Sequence, residues 1–159
     1  MTVLSGNAKG IHTDMKRIRQ DLTEESLAPG AYCQDYDNFR RIFRFVERGL
    51  RRNGSSAYII LLTLTDKNGD FIPLENRKQY MELLRQVIQR SVRAGDVFTQ
   101  YSSCQFLLMV LDASCENALQ IGQRIQKEFQ ALTPDGSAIC LEHDVSPLRP
   151  AGEKTEAPE

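Results

Sequence analysis

Apolar residues recur along this chain at two periods, and the changes between them divide it into elements. Ile11, Met15, Ile18 and Leu22 are spaced four, three and four residues apart, the seam of a short helix with Lys16, Arg17 and Arg19 outside it. That spacing fits a two-heptad coiled coil and fits equally a helix lying on its own domain. Pro29-Gly30 closes this lead-in, which takes residues 1–30. Phe39, Ile42, Phe43, Val46 and Leu50 then form a stripe that predicts a helix from about Asp37 to Arg52, with Asp35 or Asp37 as cap and Asn53-Gly54 at its close. Ala57 to Thr65 is nearly all apolar or β-branched, as expected for a central strand covered on both faces. After a turn at Asp66-Lys-Asn-Gly-Asp70, a second long helix from about Leu74 to Arg93 buries Met81, Leu84, Ile88 and Val92, with Gly95 placed to end it.

Apolar runs at 97–101 and 105–111 flank Ser102-Ser103 and predict a β-hairpin with those serines in the turn. Ser114 can cap a third helix carrying Ala118, Ile121, Ile125 and Phe129 at helical spacing, and Pro134-Asp-Gly136 is a turn. From Ala138 to Val145 the pattern alternates, with Ile139, Leu141 and Val145 on one side and Glu142 and Asp144 on the other. From Ser146 the chain is rich in Pro, Gly and Glu, which cannot bury a face, so residues 146–159 are expected to be a disordered tail. Without the two leading helices the order is strand, helix, strand, strand, helix, strand. This is the ferredoxin-like βαββαβ arrangement, an α+β fold whose antiparallel sheet carries packed helices, and it occupies residues 31–145 as one domain.

Composition narrows the picture without naming a function. The 159 residues suffice for one core but not two, and 41% hydrophobic with 26% charged residues is ordinary for a globular protein. A net charge of -1 and a pI near 6.2 give no overall attraction to nucleic acid. No apolar run approaches the ~20 residues of a membrane span, and the N-terminus lacks a signal-peptide pattern, so a cytoplasmic protein without a membrane partner is expected. Cys33, Cys104, Cys115 and Cys140 are scattered, with only His12 and His143 to join them, so neither a metal site nor another cofactor is expected. Arg40, Arg41, Arg44, Arg48, Arg51 and Arg52 crowd the first long helix, and a solvated face accounts for them.

The stretch from Arg93 to Leu111 is the most specific. Arg93 and Asp96 are followed after five residues by Ser102-Ser103-Cys104-Gln105-Phe106. This resembles the signature of the diguanylate cyclase (GGDEF) family, in which Arg-x-x-Asp, five spacer residues and Gly-Gly-Asp/Glu-Glu-Phe follow in that order. Only the Phe of the signature is kept, at Phe106. Cyclases of this family hold two divalent metals on carboxylates at a strand end and in the signature turn. The resemblance places those positions at Thr63-Leu64-Thr65 and at Cys104, and neither carries a carboxylate. Ser102 and Ser103 replace glycines that let the backbone approach phosphates, and Lys78 replaces a guanine-contacting Asp and cannot accept guanine N–H groups.

The resemblance therefore implies a domain without cyclase activity, a bacterial signalling or interaction module such as the output half of a response regulator. Its retained Arg93 and Asp96 correspond to the family's inhibitory product site, where Arg forks onto guanine or phosphate and Asp accepts from guanine, so cyclic di-GMP is the implied ligand. Read without the family, Arg93 ends a helix and Asp96 starts a strand. A protein partner or a second copy is the other expected partner. Two rival readings remain: a nucleotide cyclase with relocated ligands such as Asp66 and Asp70, and a ferredoxin-like scaffold unrelated to cyclic dinucleotides.

Overall fold

The computed structural model describes residues 8–24, 26, 30–53, 56–134 and 138–149. The elements are α1 (Ala8–Leu22), β1 (Tyr32–Cys33), α2 (Tyr36–Asn53), β2 (Ala57–Thr65), α3 (Leu74–Ser91), β3 (Val97–Ser102), β4 (Gln105–Leu111), α4 (Cys115–Leu132) and β5 (Cys140–Pro147). The sheet order is β1-β3-β4-β2-β5. β2, β3, β4 and β5 pair antiparallel in the ferredoxin-like order, while β1 adds one short parallel pairing to β3 that the apolar pattern does not announce.

Side chains alternate across the sheet and so build two cores. Ile60, Leu62 and Leu64 of β2, with Phe106, Leu108 and Val110 of β4, meet Leu84 and Ile88 of α3 and Ile125 and Phe129 of α4. The opposite face carries α2, whose Phe39 and Leu50 meet Ala57, Val97 and Met109. Burial of each such aliphatic or aromatic side chain stabilises the fold by ~1.5–3 kcal/mol, so both helix layers are tied to the same central strands.

Local chemistry fixes the element ends. Asp35 accepts from Asn38 N at 2.8 Å and starts α2, and Ser114 accepts from Asn117 N at 3.1 Å and starts α4, both as expected. α3 ends two residues early, at Ser91, with Val92 extended, and Gly95 is not in the left-handed region that a glycine cap uses. The hairpin turn lies one residue later than the serine pair suggested: Ser102 closes β3 opposite Gln105, and a register shift between Gln100 and Ser102 absorbs the extra residue. β5 begins at Cys140 rather than Ala138 and runs through Ser146 and Pro147, while Leu148 packs in the α2-side core and donates its N–H to Ala57 O at 2.9 Å. Ser146 to Leu148 are thus part of the folded domain and not of a tail. The rest of the expected tail from Pro150, the Gly54 close of α2 and most of the Pro134-Asp-Gly136 turn lie outside the described residues.

α1 presents Met15 and Ile18 about half exposed and Leu22 at 78% exposure; the Ile11 side chain lies outside the described set. Between α1 and the domain, Gly30 adopts φ +87°, and an added Cβ would lie 1.7 Å from Gln89 O of α3. Ala31 N donates to Gln89 O at 3.2 Å, and the Gln89 side chain donates to Ala31 O at 2.5 Å. Only glycine permits this approach of the incoming chain to α3.

Candidate functional site

β2 and β4 pair with Thr63 directly opposite Gln105, so the end of the central strand and the hairpin turn meet. Their side chains form one neutral chain. Ser102 Oγ donates to Gln105 Oε1 at 2.9 Å, and Gln105 Nε2 donates to Thr63 Oγ1 at 3.2 Å. Ser102 Oγ also accepts from Cys104 N at 3.3 Å, and Leu64 N donates to Cys104 O at 2.9 Å. Cys104 is buried in the α3-side core, next to Phe106. Nothing in this arrangement offers an anionic oxygen of the kind that Mg²⁺ needs.

Asp66 and Asp70 share one loop, and one carboxylate oxygen of Asp66 is engaged within it. Its Oδ1 accepts from Asn68 N at 2.8 Å and from Asp70 N at 2.9 Å, and Gly69 takes φ +83° to close the turn. Among the described residues no group of three His, Cys, Asp or Glu side chains is placed to hold a metal ion.

Beside the turn, a groove of about 590 Å³ runs between one stripe of α3 and the hairpin, with Lys78 and Arg77 at one end and Arg85 and Glu82 at the other. Arg77 Nη1 reaches across to Ser103 Oγ at 3.1 Å while its Nε donates to Ile72 O at 2.6 Å. Arg85 and Glu82 form a two-bond pair at 3.0 and 2.7 Å. Those bonds hold the Glu82 carboxyl below and the Arg85 guanidinium above their usual ranges. Burial, partly offset by Arg85, raises the Cys33 thiol nearby.

Arg93 and Asp96 lie at the other end of the hairpin. Asp96 is 2% exposed. Its Oδ1 accepts from Leu111 N at 3.0 Å, and its Oδ2 accepts from Arg93 N and Arg93 Nε, each at 3.3 Å. Arg93 Nη2 donates in turn to Leu111 O, so the pair clasps the end of β4 to the turn after α3. The Arg93 side chain remains 64% exposed. It borders a cavity of about 290 Å³ whose far wall carries Arg124 of α4, itself held by a hydrogen bond to Ser91 O. Sequence reasoning missed Arg124. An isolated arginine on an amphipathic helix carries no spacing signal, and only the packing of α4 against α3 brings it to Arg93.

No protein-family model matches the chain, and no curated protein matches it. Solved structures do. The coiled coil and GGDEF domain of DgcB from Caulobacter crescentus, in complex with c-di-GMP, superposes with a TM-score of 0.62 at 14% identity over 91% of this chain and 78% of that one. The GGDEF domain of the same protein alone covers 81% of each chain with a TM-score of 0.62 at 12% identity. The chain has the GGDEF fold. Diguanylate cyclase SiaD from Pseudomonas aeruginosa, solved with its activator SiaC, gives a TM-score of 0.65 at 15% identity over 92% of this chain and 59% of its own length. Within the GGDEF fold, Thr63 and the turn residues Ser102 to Gln105 come together, Lys78 lies along the adjoining groove, and Arg93 and Asp96 are separated from both by the length of the hairpin.

Proposed function

We propose that this chain is a GGDEF-fold signalling module that does not make cyclic di-GMP. The neutral chain from Ser102 through Gln105 to Thr63 carries this reading, because the residues that meet at the strand end and the turn satisfy one another instead of presenting carboxylates to a cation. Asp66, the nearest acid of the relocated-ligand alternative, has its Oδ1 bound into its own loop. Purified protein incubated with GTP and Mg²⁺ is expected to yield no cyclic di-GMP. Metal-dependent turnover lost on Asp66→Ala or Asp70→Ala would overturn the proposal in favour of an enzyme.

Cyclic di-GMP is the ligand this module reads, at the cavity between Arg93 and Arg124. Two guanidiniums facing one space, one of them largely exposed, suit a guanine edge or a phosphate. Asp96 serves as the post that positions Arg93, since its own oxygens are occupied. A cavity of about 290 Å³ is at the small end of ligand sites (~300–1,000 Å³), so it takes one base and leaves the second half of the dinucleotide to another surface. A second copy of the chain supplies such a surface through α1. Inclusion of the DgcB coiled coil raises the matched share of this chain from 81% to 91%, and that gain is about the length of the 15-residue α1, whose exposed seam has the coiled-coil spacing. Calorimetric titration of cyclic di-GMP tests the ligand: binding is expected, and Arg93→Ala or Arg124→Ala should each weaken it by ~1.5–3 kcal/mol. No heat at millimolar ligand would remove the receptor reading and leave the inert module.

A further inference from the structure

We propose that α1 of a second copy of this chain packs on the bare part of the sheet's α2 face, between α2 and β5. The two faces are unequally covered. Five strands spaced about 4.8 Å apart are roughly 19 Å across, which is room for two helices packed about 8–10 Å apart. Among the described residues α3 and α4 fill one face, and α2 alone lies on the other. The strip left over is apolar where it adjoins α2. Ile59 and Leu107 line a cleft of about 440 Å³ beside Phe39 and Phe43, and Leu61, in the middle of the central strand, is only partly buried and joins neither core. A leucine on a central strand is ordinarily covered by a packed layer.

Charge selects the occupant. On the α2 wall of the strip, Arg40 and Arg44 outnumber Glu47. Arg40 leans on the Tyr36 ring at 5.8 Å and reaches Asp37 at 3.9 Å, while Arg44 forms no ion pair among the described residues. On the opposite wall β5 presents Glu142 and Asp144, which share this face because they pair with Thr63 and Leu61. Both are exposed, and neither is in an ion pair among the described residues. An apolar floor between a basic wall and an acidic one fits an amphipathic helix with acids along one flank and a base along the other. α1 is such a helix. Its exposed seam of Met15, Ile18 and Leu22 has Asp14 and Asp21 along one flank and Arg19 along the other, by the helical period. Of the two directions in which it could lie, one sets the acids against Arg44 and Arg19 against Asp144. Its 15 residues make about 22 Å, which fits within the roughly 30 Å of the nine-residue β2. A second copy supplies this helix, because the chain's own α1 enters past Gly30 and Ala31, which are tied to α3 on the other face, and reaches the sheet at β1, the margin farthest from β5. The inference rests on the association through α1 proposed above and names the surface that the seam meets.

Sedimentation of the full chain and its variants tests this. Ile18→Glu spoils the seam and Leu61→Glu spoils the strip, so each alone should weaken the dimer at least about tenfold, since each would bury an unpaired carboxylate. Mixed in equal amounts, the two variants should recover a heterodimer, because the intact α1 of the Leu61→Glu chain meets the intact strip of the Ile18→Glu chain. Exposed charges repeat the test without touching the core. Asp14→Lys with Asp21→Lys, or Arg40→Glu with Arg44→Glu, should each weaken the dimer, and all four together should restore it. A dimer lost on Ile18→Glu but indifferent to Leu61→Glu and to the α2 reversals would mean that α1 pairs with α1, which sinks this inference and leaves the association standing. A chain that is monomeric at every concentration sinks both, and α1 resonances that shift on Leu61→Glu in that monomer would show α1 covering its own strip instead.

Discussion

Replacing Asp96 should cost more stability than replacing its partner Arg93. An ion pair is usually treated as one interaction with one energy, but this one has two unlike ends. Asp96 is 2% exposed and satisfies Leu111 N, Arg93 N and Arg93 Nε, whereas the Arg93 side chain is 64% exposed and can turn to water. In Asp96→Ala, the Leu111 N–H at the end of β4 loses its acceptor, a cost of ~1–3 kcal/mol when water does not replace it. The Arg93 backbone N–H, nearer solvent, adds a smaller amount, for a total of roughly 2–4 kcal/mol. Arg93→Ala forfeits a half-screened contact to Asp96 and the bond to Leu111 O but leaves the carboxylate its two backbone N–H donors, Leu111 N and Arg93 N, so it should cost less, about 1–2 kcal/mol. Asp96→Asn falls between, because its oxygen can still accept from Leu111 N while its amide N–H₂ confronts the Arg93 donors. Urea unfolding followed by circular dichroism measures all three, with the slope held constant as the check that only the folded state changed. At about 3 °C per kcal/mol for a domain of this size, Asp96→Ala should melt roughly 6–12 °C early. Equal losses in Asp96→Ala and Arg93→Ala, or an Asp96→Asn protein as stable as the parent, would refute the clasp.

Sedimentation of the full chain should show a dimer that disappears when residues 1–28 are removed; identical monomer masses would exclude self-association through α1. Alanine at three glycines should give a graded series: Gly95→Ala near neutral because its Cβ meets nothing within 4 Å, Gly69→Ala penalised by φ +83° alone, and Gly30→Ala worst because its Cβ would also strike Gln89 O. The positive φ alone costs ~1–2 kcal/mol, and Gly30→Ala no more disruptive than Gly69→Ala would show that the chain passes α3 differently on its way to β1. Glu82→Gln should lose about 0.5 kcal/mol at pH 7 and a smaller amount at pH 2. The folded Glu82 carboxyl titrates below its ordinary 4.5, so its contribution is present above that value and vanishes as pH falls through the folded one; a gap of the same size at both pH values would contradict this.

The core helices and the four long strands were legible because each has an unbroken period: Met81, Leu84 and Ile88 on α3, or the continuous apolar run of β2. β1 was not, since Tyr32-Cys33 has no periodicity of its own and becomes a strand only by pairing with Val97 and Phe98. Leu148 was hidden by its prolines; composition predicted a tail where one leucine finds a hydrophobic slot beside Phe39 and Met109. The hairpin turn shifted because a bulge is a tertiary compromise that two adjacent serines cannot signal. At the site, the family resemblance put Thr63 at the strand end and Ser102 and Gln105 in the turn, but could not show that they bond to one another. Nor could it show the burial of Asp96, which depends on where β4 ends.

The two margins of the sheet are unequally guarded. β5 exposes Glu142 and Asp144 along its length and finishes at Pro147, which has no N–H to offer a newcomer. On the far side, β1 shelters β3 only as far as Phe98; beyond it, among the described residues, no strand follows, and the ring of Tyr36 against Tyr101 at 5.3 Å is the cover that remains. Unwanted addition of a foreign strand at high concentration should therefore begin at Gln100 to Ser102, and a lysine at Tyr101 would be the economical way to keep concentrated solutions clear.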